Sequence, residues 1–244
     1  MDRMIYTAMT GAKHALEQQA TVSHNLANAA TNGFRAQIDQ FRAVPVVSDG
    51  LATRAFVVDA TTGSDFRAGA IQHTGRELDV AVQGQGWLVV QAADGSEAYT
   101  RNGSFKLDEN GVLQTQDGRA VVGDGGALAI PPGRNIAIAR DGTLSLVAQG
   151  GKDASSVGKL KLVNPPERDL VRGDDGLFRL KDGQAAEVDP KVNVVSGSLE
   201  ASNVNVVDQM VNMITLARQF EMHMKLLQNA ETNDSKATQM LAHG

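Results

Sequence analysis

Apolar residues recur at helical spacing only near the two ends of the chain. From Asp2 to about Ala30, Ile5, Ala8, Ala12, Ala15, Gln19, Val22 and Leu26 alternate steps of three and four. That is a heptad seam, interrupted once by Gln19. Gly11 is a weak point, costing about 1 kcal/mol against alanine in a helix interior. Asn32-Gly33 supplies a stop, because glycine readily takes the left-handed position after a helix. At the other end Met210, Met213, Ala217, Phe220, Met224 and Leu227 repeat the spacing, with Val207, Val211 and Ile214 widening the stripe. Asn205 is a candidate cap, and Asp208 suits the positive end of the helix. This second helix is expected to span about 25 residues, roughly 37 Å.

Between the helices the pattern changes to short apolar runs cut by turn dipeptides: Asp94-Gly95, Asn102-Gly103, Asn110-Gly111, Asp117-Gly118, Asp124-Gly125, Asp141-Gly142 and Asp182-Gly183. Such dipeptides turn hairpins. Trp87-Leu88-Val89-Val90, Gly111-Val112-Leu113, Ala120-Val121-Val122 and Leu144-Ser145-Leu146-Val147 fit the intervening strands. An antiparallel meander closing into a sandwich or irregular barrel follows. The expected fold class is α+β. Residues 1–33 form an N-terminal helix, 34–64 an extended connector without clear period, 65–200 a β-rich domain and 201–244 a C-terminal helix. The two helices can pair as a coiled-coil-like hairpin. A hairpin alone leaves much of its apolar stripe in water, so other subunits must cover the rest.

Composition narrows the function classes. A net charge of −5 gives no support to nucleic-acid binding. The absence of cysteine excludes disulfides, thiolate metal sites and cysteine nucleophiles. Met1 to Tyr6 does not begin a Sec-type signal, and no run approaches the ~20 apolar residues of a membrane span.

Candidate chemistry is thin. Gly84-Gln85-Gly86 lacks the third glycine of a dinucleotide loop and leads into a strand. Gly151-Lys152 is followed by Asp153, so a Walker loop fails. Asp108-Glu109-Asn110-Gly111 has the wrong spacing for a calcium loop, and a hairpin turn accounts for it. His14, His24, His73, His223 and His243 show no zinc-helix spacing and read as solvated or packed. Ser156-Val157-Gly158-Lys159 lacks the companion motifs of a Ser-x-x-Lys enzyme. Arg172-Gly173-Asp174 reads as an exposed turn, and Glu77 and Asp79 as solvated strand-edge charges. Met210, Met213, Met222 and Met224 read as packing residues rather than soft-metal ligands. No catalytic, cofactor or metal site is expected.

Three segments carry a resemblance. Ser23-His24-Asn25-Leu26-Ala27-Asn28-Ala29-Ala30-Thr31-Asn32-Gly33-Phe34-Arg35 resembles the N-terminal signature of the flagellar axial proteins of the rod and hook. Ser202 to Met210, with Met213-Ile214, Arg218-Gln219-Phe220-Glu221 and Lys225, is similar to their C-terminal helix. Leu78 to Trp87 and Tyr99 to Phe105 look like their shared β domain, with Trp87 where phenylalanine is commoner. Within the family, the opening Met1 to Ala12 is most like a proximal rod subunit, with a distal rod subunit as the alternative. The resemblance implies a non-enzymatic subunit exported without a Sec signal through the flagellar type III apparatus. It implies assembly with proximal and distal rod subunits in the basal-body rod that crosses the periplasm. No nucleic acid, small-molecule substrate or membrane insertion is implied. Assembly roles carry to Asn25, Leu26, Asn28, Thr31, Gly33 and Phe34. The C-terminal stripe adds Met210, Met213, Ala217, Phe220, Met224 and Leu227.

Overall fold

The structure is a computed structural model that describes residues 2–45, 55–131, 135–147 and 154–242. Residues 46–54 of the expected connector, the Gly151-Lys152 pair and His243 lie outside the described residues. The chain divides into two compact units. Residues 1–29, 36–65 and 204–244 form the first, and residues 30–35 and 66–203 the second.

The first unit is built on two helices, α1 (Asp2–Ala27) and α2 (Val206–Ala242). They pack antiparallel. Gly11 faces His223, while Val22 and Asn25 share a groove with Gln209 and Asn212. The buried face of α1 is small: Ala8, Ala12 and Ala15 are nearly inaccessible. Larger residues of α2 complete the seam, with Leu216 buried and Met213, Phe220, His223 and Leu227 half-buried. Small positions on one helix let the larger side chains of the other seat closely, as ridges enter grooves. Asn205 caps α2, its Oδ1 accepting from the backbone N–H groups of Val207 (3.0 Å) and Asp208 (3.4 Å). The helix runs 37 residues, longer than its apolar stripe predicts. Beyond Leu227 its inward positions are the small Ala230 and Ala237, set among Asn229, Thr232, Asn233 and Asp234, which dilute the periodic signal.

The expected connector also contains a ladder. Strand β1 (Gln37–Pro45) pairs antiparallel with β2 (Ala55–Ser64), with an irregularity between Gln40 and Phe41. A two-stranded ribbon has little to bury, and Ile38 and Phe41 remain exposed, so no strict alternation marked it in the sequence.

The second unit is antiparallel throughout. Its main sheet has five strands in the spatial order Leu162–Val163, Trp87–Gln91, Glu97–Thr100, Phe178–Leu180 and Leu170–Arg172. Trp87, Leu88, Val89 and Val90 are all buried, because both faces of this sheet are covered. Alternate side chains serve different cores. Leu88 and Val90 join Phe105, Leu113, Val121 and Leu144, whereas Trp87 and Val89 join Tyr99, Val163 and Phe178. The Tyr99 hydroxyl accepts from the Ala186 N–H at 2.8 Å, which satisfies its one polar atom inside.

Most of the turn dipeptides do turn hairpins. At Gly95, Gly111, Gly118 and Gly142 the glycine takes positive φ, and its N–H donates to the carbonyl three residues back. Asn102-Gly103 does not. Gly103 instead lets two backbones touch: a Cβ there would lie 1.8 Å from the Val80 carbonyl oxygen. Asp175-Gly176 turns the hairpin between Leu170–Arg172 and Phe178–Leu180, and Asp174, Asp175 and Gly176 are exposed while Arg172 is half-buried.

Candidate assembly surface

The N-terminal signature divides between the two units. In the first, Asn25 is buried, and its carboxamide braces the start of β1. Nδ2 donates to the Gln37 carbonyl at 2.9 Å, and Oδ1 accepts the Gln37 N–H at 2.8 Å. One side chain thus completes both backbone groups of a strand residue, as a neighbouring strand would. Beside it the Thr21 hydroxyl donates to Asp39 at 2.7 Å. Leu26 is half-buried, and Asn28 donates to the His24 carbonyl at 2.9 Å, closing the last turn of α1.

In the second unit Thr31 is exposed, while Gly33, Phe34 and Arg35 run into the interior. Gly33 sits at φ +69, and its N–H donates to the Glu200 carbonyl at 2.7 Å. A Cβ there would stand 2.3 Å from the Arg101 carbonyl carbon. Phe34 is buried, with the Arg172 guanidinium 4.4 Å from its ring centroid. Gly33→Ala is therefore expected to cost about 2 kcal/mol or more, combining left-handed strain with a backbone clash. Gly75 has a similar φ of +74 with nothing within 4 Å of its would-be Cβ. Gly75→Ala should cost only about 1 kcal/mol, so urea midpoints for the two variants separate strain from contact.

The residues that sequence reasoning missed lie under this segment. Arg35 and Glu200 are each 1% exposed, and Arg35 Nη1 lies 2.7 Å from Glu200 Oε1. Arg101 Nη1 approaches Oε2 at 3.0 Å, and the Gly69 N–H donates to Oε1 at 2.9 Å. Trp87 lies under both cations, 5.3 Å from Arg101 and 6.0 Å from Arg35. Burial lowers the pKa of Arg101, and the Glu200 carboxylate opposes that shift. Two buried guanidinium groups share one carboxylate. The contributing segments are far apart in sequence, and no local spacing announces the cluster.

The C-terminal stripe divides between two faces of α2. Met213, Phe220 and Leu227 belong to the half-buried seam. Met210 and Met224 are exposed, and Ala217 is half-buried. Around Met210 the helix leaves Val207 at 67%, Val211 at 56% and Ile214 at 55% exposure, a continuous apolar patch on its first two turns. On α1, Tyr6, Met9 and Leu16 are likewise exposed. Patches of this kind mark association surfaces. Among the described residues, no group of three or more His, Asp or Glu is placed to hold a metal, and no helix is long and apolar enough to cross a membrane.

Paired helices drawn from both chain ends, an inserted antiparallel β unit and uncovered apolar helix faces together describe a self-assembling axial subunit. Family comparison agrees segment by segment. Residues 5–35 match the model for flagella basal body rod protein, and 195–240 match that for flagellar basal body rod FlgEFG protein C-terminal. Residues 81–146 match the flagellar hook protein FlgE/F/G D1 domain. The chain belongs to the flagellar basal-body rod protein family. It is 48% identical to the flagellar basal-body rod protein FlgF of Escherichia coli (strain K12) over 250 residues, covering 99% of each chain. The FlgF of Salmonella typhimurium is 47% identical over 250 residues, with the same coverage. A FlgG rod protein of Buchnera aphidicola (subsp. Schizaphis graminum) is 30% identical over 259 residues, covering 97% of this chain and 98% of the relative.

Proposed function

We propose that the chain is a structural subunit of the proximal flagellar rod that polymerises through the outward faces of α1 and α2. The observation that carries this reading is the uncovered patch of Val207, Met210, Val211 and Ile214, inside a segment that matches the rod family. Burying each such side chain contributes on the order of 1–2 kcal/mol, and a polymer repeats that gain at every subunit. Contact between unlike faces of successive copies propagates an open helix when its rotation does not close on itself.

In this reading Met210, Ala217 and Met224 meet neighbouring subunits directly. Asn25, Gly33 and Phe34 act through the shape they impose on their own chain, and Leu26, Asn28 and Thr31 shape the end of α1. The spacing of Met213, Leu216, Phe220, His223, Leu227 and Ala230 supports a coiled-coil-like pairing of α1 with α2. The two cores flanking the main sheet support a sandwich or irregular barrel for the β unit. The role is mechanical, with no catalysis and no cofactor. The partners are the proximal and distal rod subunits, reached by type III export, in a rod that crosses the periplasm.

The test is imaging of basal bodies from cells lacking the chain. Truncated rods and non-motile cells are expected, with wild-type rods restored by the intact gene. A small tag on the β unit should label the proximal part of the rod. Complete flagella in the deletion strain would refute the reading, and a label confined to the distal part would move the subunit there.

A further inference from the structure

Glycine in a helix interior costs about 1 kcal/mol relative to alanine, so Gly11 in the middle of α1 needs a reason. The reason lies across the seam. A Cβ at position 11 would stand 2.4 Å from His223 Cε1, 2.7 Å from Nε2 and 2.8 Å from Nδ1, so the space is filled by the imidazole itself. The ring is half-buried, and its Nδ1 is buried without a hydrogen-bond partner. At Nδ1 the ring is held by shape rather than by a polar contact.

The small residues of the α1 seam favour one pairing with α2, and position 11 is the most demanding of them. Ala8 and Ala15 are one heptad apart, so at that pair a slide of one heptad replaces alanine with alanine, whereas Ala12 gives way to Gln19 and Ala15 to Val22. One heptad further along α1 from Gly11 stands Gln18, whose side chain would occupy the space that Gly11 leaves open. We infer that Gly11 and His223 form a size-matched notch that selects the register of α1 against α2. The inference goes beyond the rod assignment: it concerns pairing within one chain and holds whatever polymer the chain enters.

The natural chain has no cysteine, so paired cysteines report register on a clean background. Val22 and Asn212 line the same groove and serve as the in-register pair, Val22→Cys with Asn212→Cys. Val22→Cys with Gln219→Cys is the offset pair: Gln219 lines the same groove but lies one heptad, about 10 Å, further along α2 than Asn212. The purified full chain is oxidised gently and the disulfide yield measured, without assembly. The wild-type background should cross-link the first pair and not the second. Gly11→Leu should raise intrinsic helicity yet lower the in-register yield about tenfold, as overpacking does. Adding His223→Ala to Gly11→Leu should restore that yield, because the bulk has moved to the other side of the notch. His223→Phe alone should keep it, because the notch reads a ring. Equal yields from both pairs, no in-register cross-link in the wild-type background, no loss in Gly11→Leu, or no restoration by His223→Ala would each overturn the inference.

Discussion

Replacing Glu200 by glutamine is expected to cost about 3–5 kcal/mol, enough to leave the β unit largely unfolded in moderate urea. The change removes one charge and almost no volume. It leaves Arg35 and Arg101 buried with no counter-ion, and truncating one partner of a buried ion pair typically costs that much. Against a total stability of about 5–15 kcal/mol, this is a large share. The asymmetry of the cluster supplies the control. Arg35→Met loses the same 2.7 Å contact but leaves one guanidinium facing one carboxylate, so it should cost clearly less. Urea unfolding followed by Trp87 fluorescence reads both variants, because that ring lies against both cations. A Glu200→Gln midpoint equal to wild type, or Arg35→Met as damaging as Glu200→Gln, would show that the cluster is held by packing alone.

Ile214→Asp and Leu216→Asp are expected to fail in opposite ways, although they sit two residues apart. Ile214 is 55% exposed and Leu216 8%. A charge at Ile214 stays in water in the monomer, so stability should change by no more than about 0.5 kcal/mol. With the outward face of α2 as the proposed polymer contact, that carboxylate would be buried against a neighbour at a cost of several kcal/mol, and assembly should stop. At Leu216 the same charge is buried inside the helix pair, so the monomer itself should lose helical structure by circular dichroism. Rods assembled normally from Ile214→Asp chains would remove the outward face of α2 from the polymer contact. Loss of helix in the Ile214→Asp monomer would make that face part of the fold.

Much of this was legible from the sequence, because the signals were periodic and local. The two helices, the inserted antiparallel β unit and most hairpins follow from spacing and turn chemistry. The partition of the C-terminal stripe was not legible. The first turns of α2 are apolar on two adjacent faces, so the exposed Met210 and Met224 look equivalent to the half-buried Met213, Phe220 and Leu227. Only the partner helix separates them. Asn102-Gly103 misled for a related reason, since glycine also serves where backbones touch, and there it admits the Val80 carbonyl. Gly11 is a helix defect by sequence alone and a fit only beside the His223 ring. Glu200, Arg35 and Arg101 come from three distant segments, and nothing near any of them signals that the others are there.

The Arg35–Glu200 pair also sets an order in time. A chain is made from its N-terminus, and a contact between its beginning and its far end forms only after the intervening loop has closed. Arg35 is among the first residues of the β unit to be made, and its counter-ion is among the last. Until Glu200 arrives, Arg35 and Arg101 cannot be buried without a prohibitive desolvation cost, so hairpins that form early cannot lock. A chain arranged this way is expected to complete its β unit only after Glu200 has been made. The buried ion cluster that ties the two ends of the β unit together is therefore complete only when the last strand is in place.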